Sequence, residues 1–285
     1  MLMASPLASL PKEWQIWIEE NLARSCEPSS MADVMVRDGR FDPRLAYAAI
    51  EQARGAPVRQ SRPPRQHQAL PEIDTSANTV LAGDRVVDIL LSLKAPRIVL
   101  VGKLLADEEC DALIHYAETR LERSPVVADR DGSNELTAYR TSRGAMMQRS
   151  ETELVARIEA RLAALVRWPV ENGEGMQLLR YEKGNEYRPH YDWFDPAMPG
   201  PRKHLERGGQ RVGTVVMYLS DVEQGGGTSF PDIGLQVQPK KGSAVFFANT
   251  DSFGEPDRKT LHAGEPVEKG VKFIATKWLR AGEYR

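Results

Sequence analysis

The 285 residues carry 38 Lys and Arg against 40 Asp and Glu, a formal net charge of −2 with a pI near 6.3. This balance leaves no electrostatic footprint for nucleic acid or an anionic membrane surface, and 41% hydrophobic with 27% charged residues describes an ordinary globular chain. Cys26 and Cys110, far apart and without metal-type spacing, argue against a disulfide framework or structural zinc and fit a reducing cytoplasm. The apolar start is short, lacks a basic region and runs directly into Lys12-Glu13-Trp14, so neither a signal peptide nor a membrane span is expected.

In chain order, residues 1–54 read as a small helical module. Trp14, Trp17, Ile18 and Leu22 form a stripe at helical spacing. Ser30 and Asp33 resemble a cap for a second helix running through Met35. Asp42-Pro43 supplies an N-cap and a first-turn proline for a third, through Ala53. Residues 55–78, rich in Pro and Arg, read as a semi-stiff linker.

The main domain is expected over 79–285. Arg97 to Val101 reads as an apolar strand, Asp107-Glu-Glu as the cap of a helix through Leu121, and Ser150-Glu-Thr-Glu153 as a capping box opening another. Asp129 to Arg149 reads as a mobile loop. Beyond residue 175, strands are expected over Met176 to Arg180, Arg211 to Ser220, Leu235 to Gln238, Ser243 to Ala248 and Val271 to Leu279, separated by glycine and proline turns. Pro196 to Gln210 reads as a long loop. Many short strands preceded by helices predict a mainly β fold with supporting helices, a double-stranded β-helix or jelly roll.

The chemistry concentrates at His190-Tyr-Asp192. In an extended segment the side chains at i and i+2 share a face, so both can meet one metal ion, and His262 can complete two imidazoles and a carboxylate. That ligand set leaves half of an octahedral ion open, as in non-haem Fe(II) oxygenases. Lys272, on the strand after His262, suits the distal carboxylate of a dicarboxylate co-substrate, and Tyr181 and Thr228 can add hydroxyl donors.

Together, residues 96–282 resemble the catalytic domain of the prolyl 4-hydroxylases, Fe(II)/2-oxoglutarate-dependent dioxygenases. The resemblance rests on Leu-Arg-Tyr181-Glu-Lys-Gly-x-x-Tyr187-x-x-His190-Tyr-Asp192 and Arg211-x-x-Thr-x-x-Met-Tyr-Leu. It continues through Gly-Gly-Gly-Thr228-Ser-Phe-Pro231, Leu-His262-Ala-Gly-x-Pro-Val-x-x-Gly-x-Lys272 and Ala275-Thr-Lys-Trp278. It implies that His190, Asp192 and His262 bind Fe(II), and that Lys272, Tyr181 and Thr228 hold 2-oxoglutarate. It further implies that Tyr187, Arg211 and Trp278 face the substrate and that Arg140 and Ser142 lie in a closing loop. The implied activity, like that of the procollagen-proline dioxygenases, is hydroxylation of proline in a peptide or protein with O2, giving succinate, with ascorbate as reductant. Phe273 and Gly227 depart from the family's usual Trp and Glu. The alternatives are the same cofactors acting on a free amino acid or other small molecule, a non-catalytic iron or oxygen sensor, and a cupin-like zinc or manganese enzyme without 2-oxoglutarate.

Overall fold

The computed structural model describes residues 5–24, 26–55, 68–123, 126–127, 134–135 and 140–285. The chain divides into two compact units, Met1–His67 and Gln68–Arg285. In the first, α1 (Lys12–Ala23), α2 (Pro28–Arg37) and α3 (Pro43–Ala53) surround a core of Leu10, Ile18, Met31, Met35, Ala46 and Ile50. Trp14 meets Trp17 and Phe41 edge-on at 5.3 and 5.2 Å, at the border of that core. Asp42 caps α3 as expected, accepting from the amides of Arg44 and Leu45. The helix expected to open at Ser30 opens instead at Pro28, whose fixed φ suits a first helical residue.

The second unit begins with β1 (Thr79–Ala82), β2 (Arg85–Leu93), β3 (Ile98–Gly102), α4 (Asp107–Glu118), β4 (Glu122–Arg123), β5 (Val126–Val127), β6 (Asn134–Glu135), β7 (Arg143–Met147) and α5 (Glu153–Val166). It continues with β8 (Gly173–Tyr181), β9 (Tyr187–His190), α6 (Pro199–His204), β10 (Arg211–Tyr218), β11 (Gln224–Gly225) and β12 (Thr228–Phe230). The remaining strands are β13 (Leu235–Val237), β14 (Ala244–Ala248), β15 (His262–Gly264), β16 (Val267–Lys269) and β17 (Lys272–Arg280).

Among the described residues, nine strands form one antiparallel sheet in the order β1-β2-β3-β14-β10-β17-β8-β7-β4. One face carries the larger core, where Val99, Val101, Leu178, Val215 and Phe246 pack with Leu113, Ile158 and Leu162 of α4 and α5. The other face meets the smaller sheet, β13-β12-β15-β9, through Val216, Tyr218, Phe247, Phe230 and Val237. Two facing antiparallel sheets braced by helices are the jelly roll expected from the strand pattern.

Further local expectations change, among them the loop over 196–210, which contains α6. Residues 68–78 are not linker: Ile73 is fully buried in the larger core, and the Glu72 amide donates to the carbonyl of Val166 at 2.8 Å. The linker's other residues, 56–67, lie outside those described. The cap of α5 is Thr152, whose hydroxyl accepts from Val155 N. Ser150 is left-handed, and its amide donates to Glu159. The expected loop over 129–149 contains β7, which pairs with β8; residues 129–133 and 136–139 are not described.

Candidate metal and co-substrate site

The smaller sheet brings the site together. β9 and β15 pair so that His190 lies directly opposite His262, with ring centroids 4.3 Å apart. Asp192 follows just past the end of β9. Its Oδ1 lies 3.8 Å from His190 Nε2 and its Oδ2 3.6 Å from His262 Nε2. One potential ligand atom from each residue falls within 4.8 Å of the others, a spacing a single ion can bridge.

The other ring nitrogens are occupied. His190 Nδ1 sits 2.8 Å from the Arg188 carbonyl, and His262 Nδ1 sits 3.0 Å from that of Thr260. A carbonyl only accepts, so each Nδ1 carries the proton and each Nε2 is left as a lone pair facing Asp192. Burial, with His262 alongside, pushes the His190 imidazole down to about 3, which keeps it neutral and ligand-competent. Burial works to raise the Asp192 carboxyl, but the charge that His262 and His190 carry when protonated, with Arg211 and the Thr214 hydroxyl, outweighs it and holds the group below the usual carboxylate range.

Lys272 is the first residue of β17, directly opposite Tyr181 of β8. It is 1% exposed, its ammonium 5.3 Å from the Tyr181 ring centroid, and no described residue gives it a hydrogen-bond acceptor. Burial lowers its pKa to about 8, partly offset by Glu265. Thr228 of β12 accepts at 2.8 Å from the fully buried Tyr218, whose role the sequence pattern did not reveal. That bond leaves the threonine's own proton free to donate into the cavity.

These groups line one cavity containing about 430 Å³ of unfilled space, part of it open to solvent. His190, Asp192, His262, Lys272, Tyr181, Thr228, Tyr187, Trp278 and Arg140 all border it. Tyr187 stacks on His190 at 3.5 Å, and burial raises its phenol to about 12, so it stays protonated. Arg140 lies over the Tyr187 ring at 4.8 Å and donates to Gln177 at 2.7 Å.

Two sequence-predicted residues do not border the cavity. Ser142 is fully buried and accepts from Arg140 Nε at 3.3 Å, so it supports that arginine from behind. Arg211 stacks 4.0 Å over Trp278 and forms a paired ion bridge to Glu174, at 2.6 and 2.8 Å, while Arg280 reaches the same carboxylate at 2.7 Å. Arg211 is thus anchored at Glu174, and its Nη1 points at the Asp192 carbonyl at 3.5 Å. Glu174→Gln withdraws the carboxylate charge from between two buried guanidinium groups, and a loss of roughly 3 kcal/mol in urea-unfolding free energy is expected.

The two departures from the expected motif are also placed. Phe273 points into the larger core, away from the cavity. At Gly227 an added Cβ would lie 2.7 Å from Gln236 Nε2, so the Gln236 amide already occupies the space a larger side chain would need.

Comparison with known proteins agrees with this geometry. A profile described as the 2OG-Fe(II) oxygenase superfamily matches residues 176–280, the span from β8 through β17. Probable prolyl 4-hydroxylase 6 of Arabidopsis thaliana is 41% identical over 208 residues, 66% of this chain and 70% of that one. Prolyl 4-hydroxylase 5 of the same organism is 37% identical over 222 residues, 71% and 74% of the two chains. Among solved structures, the viral collagen prolyl hydroxylase of Paramecium Bursaria Chlorella virus-1, in its 2OG complex, aligns with a TM-score of 0.51 at 30% identity, covering 64% of this chain and 95% of that one. With its His-Asp-His cluster and buried lysine in one jelly-roll cavity, the chain belongs to the prolyl 4-hydroxylase family of 2OG-Fe(II) oxygenases.

Proposed function

We propose that this protein hydroxylates proline in a peptide or protein substrate, coupled to conversion of 2-oxoglutarate to succinate. The observation that carries the reading is the pairing, in one cavity, of the metal-type trio with a buried ammonium that lacks an acceptor among the described residues. A buried cation without a partner is costly, and a bound dicarboxylate removes that cost. The relatives named prolyl 4-hydroxylase support the choice of proline.

The residues fit the family's cofactors. Neutral Nε2 atoms of His190 and His262 with the ionised Asp192 carboxylate would hold Fe(II), and Lys272 with the hydroxyls of Thr228 and Tyr181 would hold the distal carboxylate of 2-oxoglutarate. With O2, these cofactors supply the oxidising power for oxidative decarboxylation and C–H hydroxylation. The chain's own task is to position and enclose. Tyr187, Trp278 and Arg140 wall the cavity at its substrate side. The Trp278 indole N–H is buried without an acceptor among the described residues, and is available to a peptide carbonyl. A stiff polyproline-type substrate loses little entropy on ordering there.

Ascorbate as reductant and a cytoplasmic site of action belong to the same proposal. The free thiols of Cys26 and Cys110 support the second. Among the described residues, no helix is long and apolar enough to cross a membrane.

The deciding assay is succinate formation with Fe(II), 2-oxoglutarate and ascorbate, with and without proline-rich peptides. Peptide-stimulated turnover, with a mass gain of one oxygen atom on proline, is the expected result. Turnover that no proline-containing peptide or protein stimulates would move the substrate to small molecules.

The lysine also sets a pH dependence. Its ammonium form pairs with the carboxylate, and that form is lost as pH rises through about 8. Above that point binding requires proton uptake. The dissociation constant of 2-oxoglutarate is therefore expected to rise close to tenfold per pH unit. Titrations at several pH values up to about 9.5 check this; a flat profile would contradict it.

A further inference from the structure

Asp192 lies beyond the last paired residue of β9, so the strand ladder does not fix its backbone in place. A carboxylate on such a segment would ordinarily sample several rotamers, yet here it is buried and held from behind. Thr214 Oγ1, on β10, lies 2.8 Å from Asp192 Oδ2, and Asn249 Nδ2, just past β14, lies 2.9 Å from Thr214 Oγ1. Thr214 and Asn249 are both 0% exposed.

The direction of this chain follows from chemistry. An ionised carboxylate can only accept, so the Thr214 hydroxyl spends its single proton on Asp192. The group meeting the hydroxyl oxygen must then be a donor, which fixes Asn249 with its NH2 toward Thr214. Thr214 lies on β10, between β14 and β17 in the nine-stranded sheet, and Asn249 follows directly on the end of β14. The carboxylate is thereby referenced to the interior of the nine-stranded sheet, while the two histidines are referenced to the smaller sheet.

We propose that Thr214 and Asn249 form a tether that presets the Asp192 carboxylate for a divalent cation and so sets the site's metal affinity. The role is one of positioning: neither residue needs to touch the ion. The proposal rests on the reading that His190, Asp192 and His262 hold a metal. Outer hydrogen-bond partners of metal ligands characteristically account for a factor of about 10–100 in affinity.

The test uses the full chain, freed of metal and titrated with Mn(II), with unbound ion followed by electron paramagnetic resonance. Thr214→Val keeps the β-branched shape and removes the hydroxyl. It is expected to weaken Mn(II) binding about tenfold or more while leaving the metal-free circular dichroism spectrum unchanged. Thr214→Ser should restore most of the affinity, which a merely space-filling role would not do. Asn249→Ala, which leaves the hydroxyl free to rotate, should weaken binding by a smaller factor, and it decides the matter if Thr214→Val does not fold. Parent-like Mn(II) affinity in the folded Thr214→Val and Asn249→Ala proteins would overturn the tether. His262→Ala is the control: if it binds Mn(II) as well as the parent does, the metal reading fails and the tether with it.

Discussion

Replacing His262 with alanine is expected to remove both 2-oxoglutarate turnover and tight divalent-metal binding. The imidazole is 5% exposed and presents its Nε2 lone pair because Nδ1 is committed to the Thr260 carbonyl. No described carboxylate or imidazole other than His190 and Asp192 lies close enough to take its place. Two ligands hold an ion far less well than three, and the loss falls on every step that needs the metal. At least a thousandfold drop in succinate formation is expected, of order 4 kcal/mol in transition-state terms. The check is a coupled succinate assay beside metal titration of the same preparation. Full activity in the variant would remove His262 from the site.

Lys272→Ala is expected to act differently, separating co-substrate binding from metal binding. The ammonium is buried in the lining of the same cavity and is not one of the three potential ligands. Without it, the distal carboxylate of 2-oxoglutarate would be desolvated against Tyr181 and Thr228 with no cation to meet it. Truncating one partner of a buried charge pair costs about 2–5 kcal/mol, which corresponds to a rise of about thirtyfold to several thousandfold in the 2-oxoglutarate requirement. Mn(II) affinity should stay within about twofold of the parent, because the hydrogen bonds that orient the imidazoles and Asp192 remain. A variant with an unchanged 2-oxoglutarate requirement would place the co-substrate elsewhere. The metal-free variant should also unfold no more readily than the parent, since an unpaired buried charge has been removed.

The parts of the site that were legible in the sequence are those whose chemistry is written in residue type and spacing. His190, Asp192, His262 and Lys272 stood out because few physical needs explain such residues together. Their partners were not legible. Thr214 reads as an ordinary β-branched strand residue, and only the adjacency of β10 and β14 gives its hydroxyl a direction. Tyr218 reads as a core aromatic until β12 brings Thr228 to its hydroxyl. The resemblance implied that Arg211 faces the substrate, but its ion pair with Glu174, shared with Arg280, is a tertiary fact.

The fold shows the same division. The period and turn signals after residue 175 place the central strands within a residue or three. The hairpin of β1 and β2 was missed because its pattern is blurred: Leu81, Val86 and Leu90 are exposed, while the intervening Ala82 and Val87 are buried. Alternation remains, but both faces are apolar, and neither periodicity nor polarity marks it. The misread cap at Ser150 has a local cause. Thr152 competes for the same helix start, and the left-handed turn at Ser150 settles the choice.

The order of strands in the larger sheet bears on how the protein is made. Among the described strands β17 comes latest in chain order, yet it sits inside the sheet, between β10 and β8. During synthesis a ribosome releases β8 and β10 long before their shared neighbour exists, so the two cannot be joined as they are in the finished sheet. His262 and Lys272 emerge in the same late stretch. A nascent chain stalled before that stretch holds only His190 and Asp192 of the candidate trio and lacks the buried ammonium. The stretch from β15 through β17 thus completes the sheet and the candidate site together, and truncation of the chain before His262 would remove both at once.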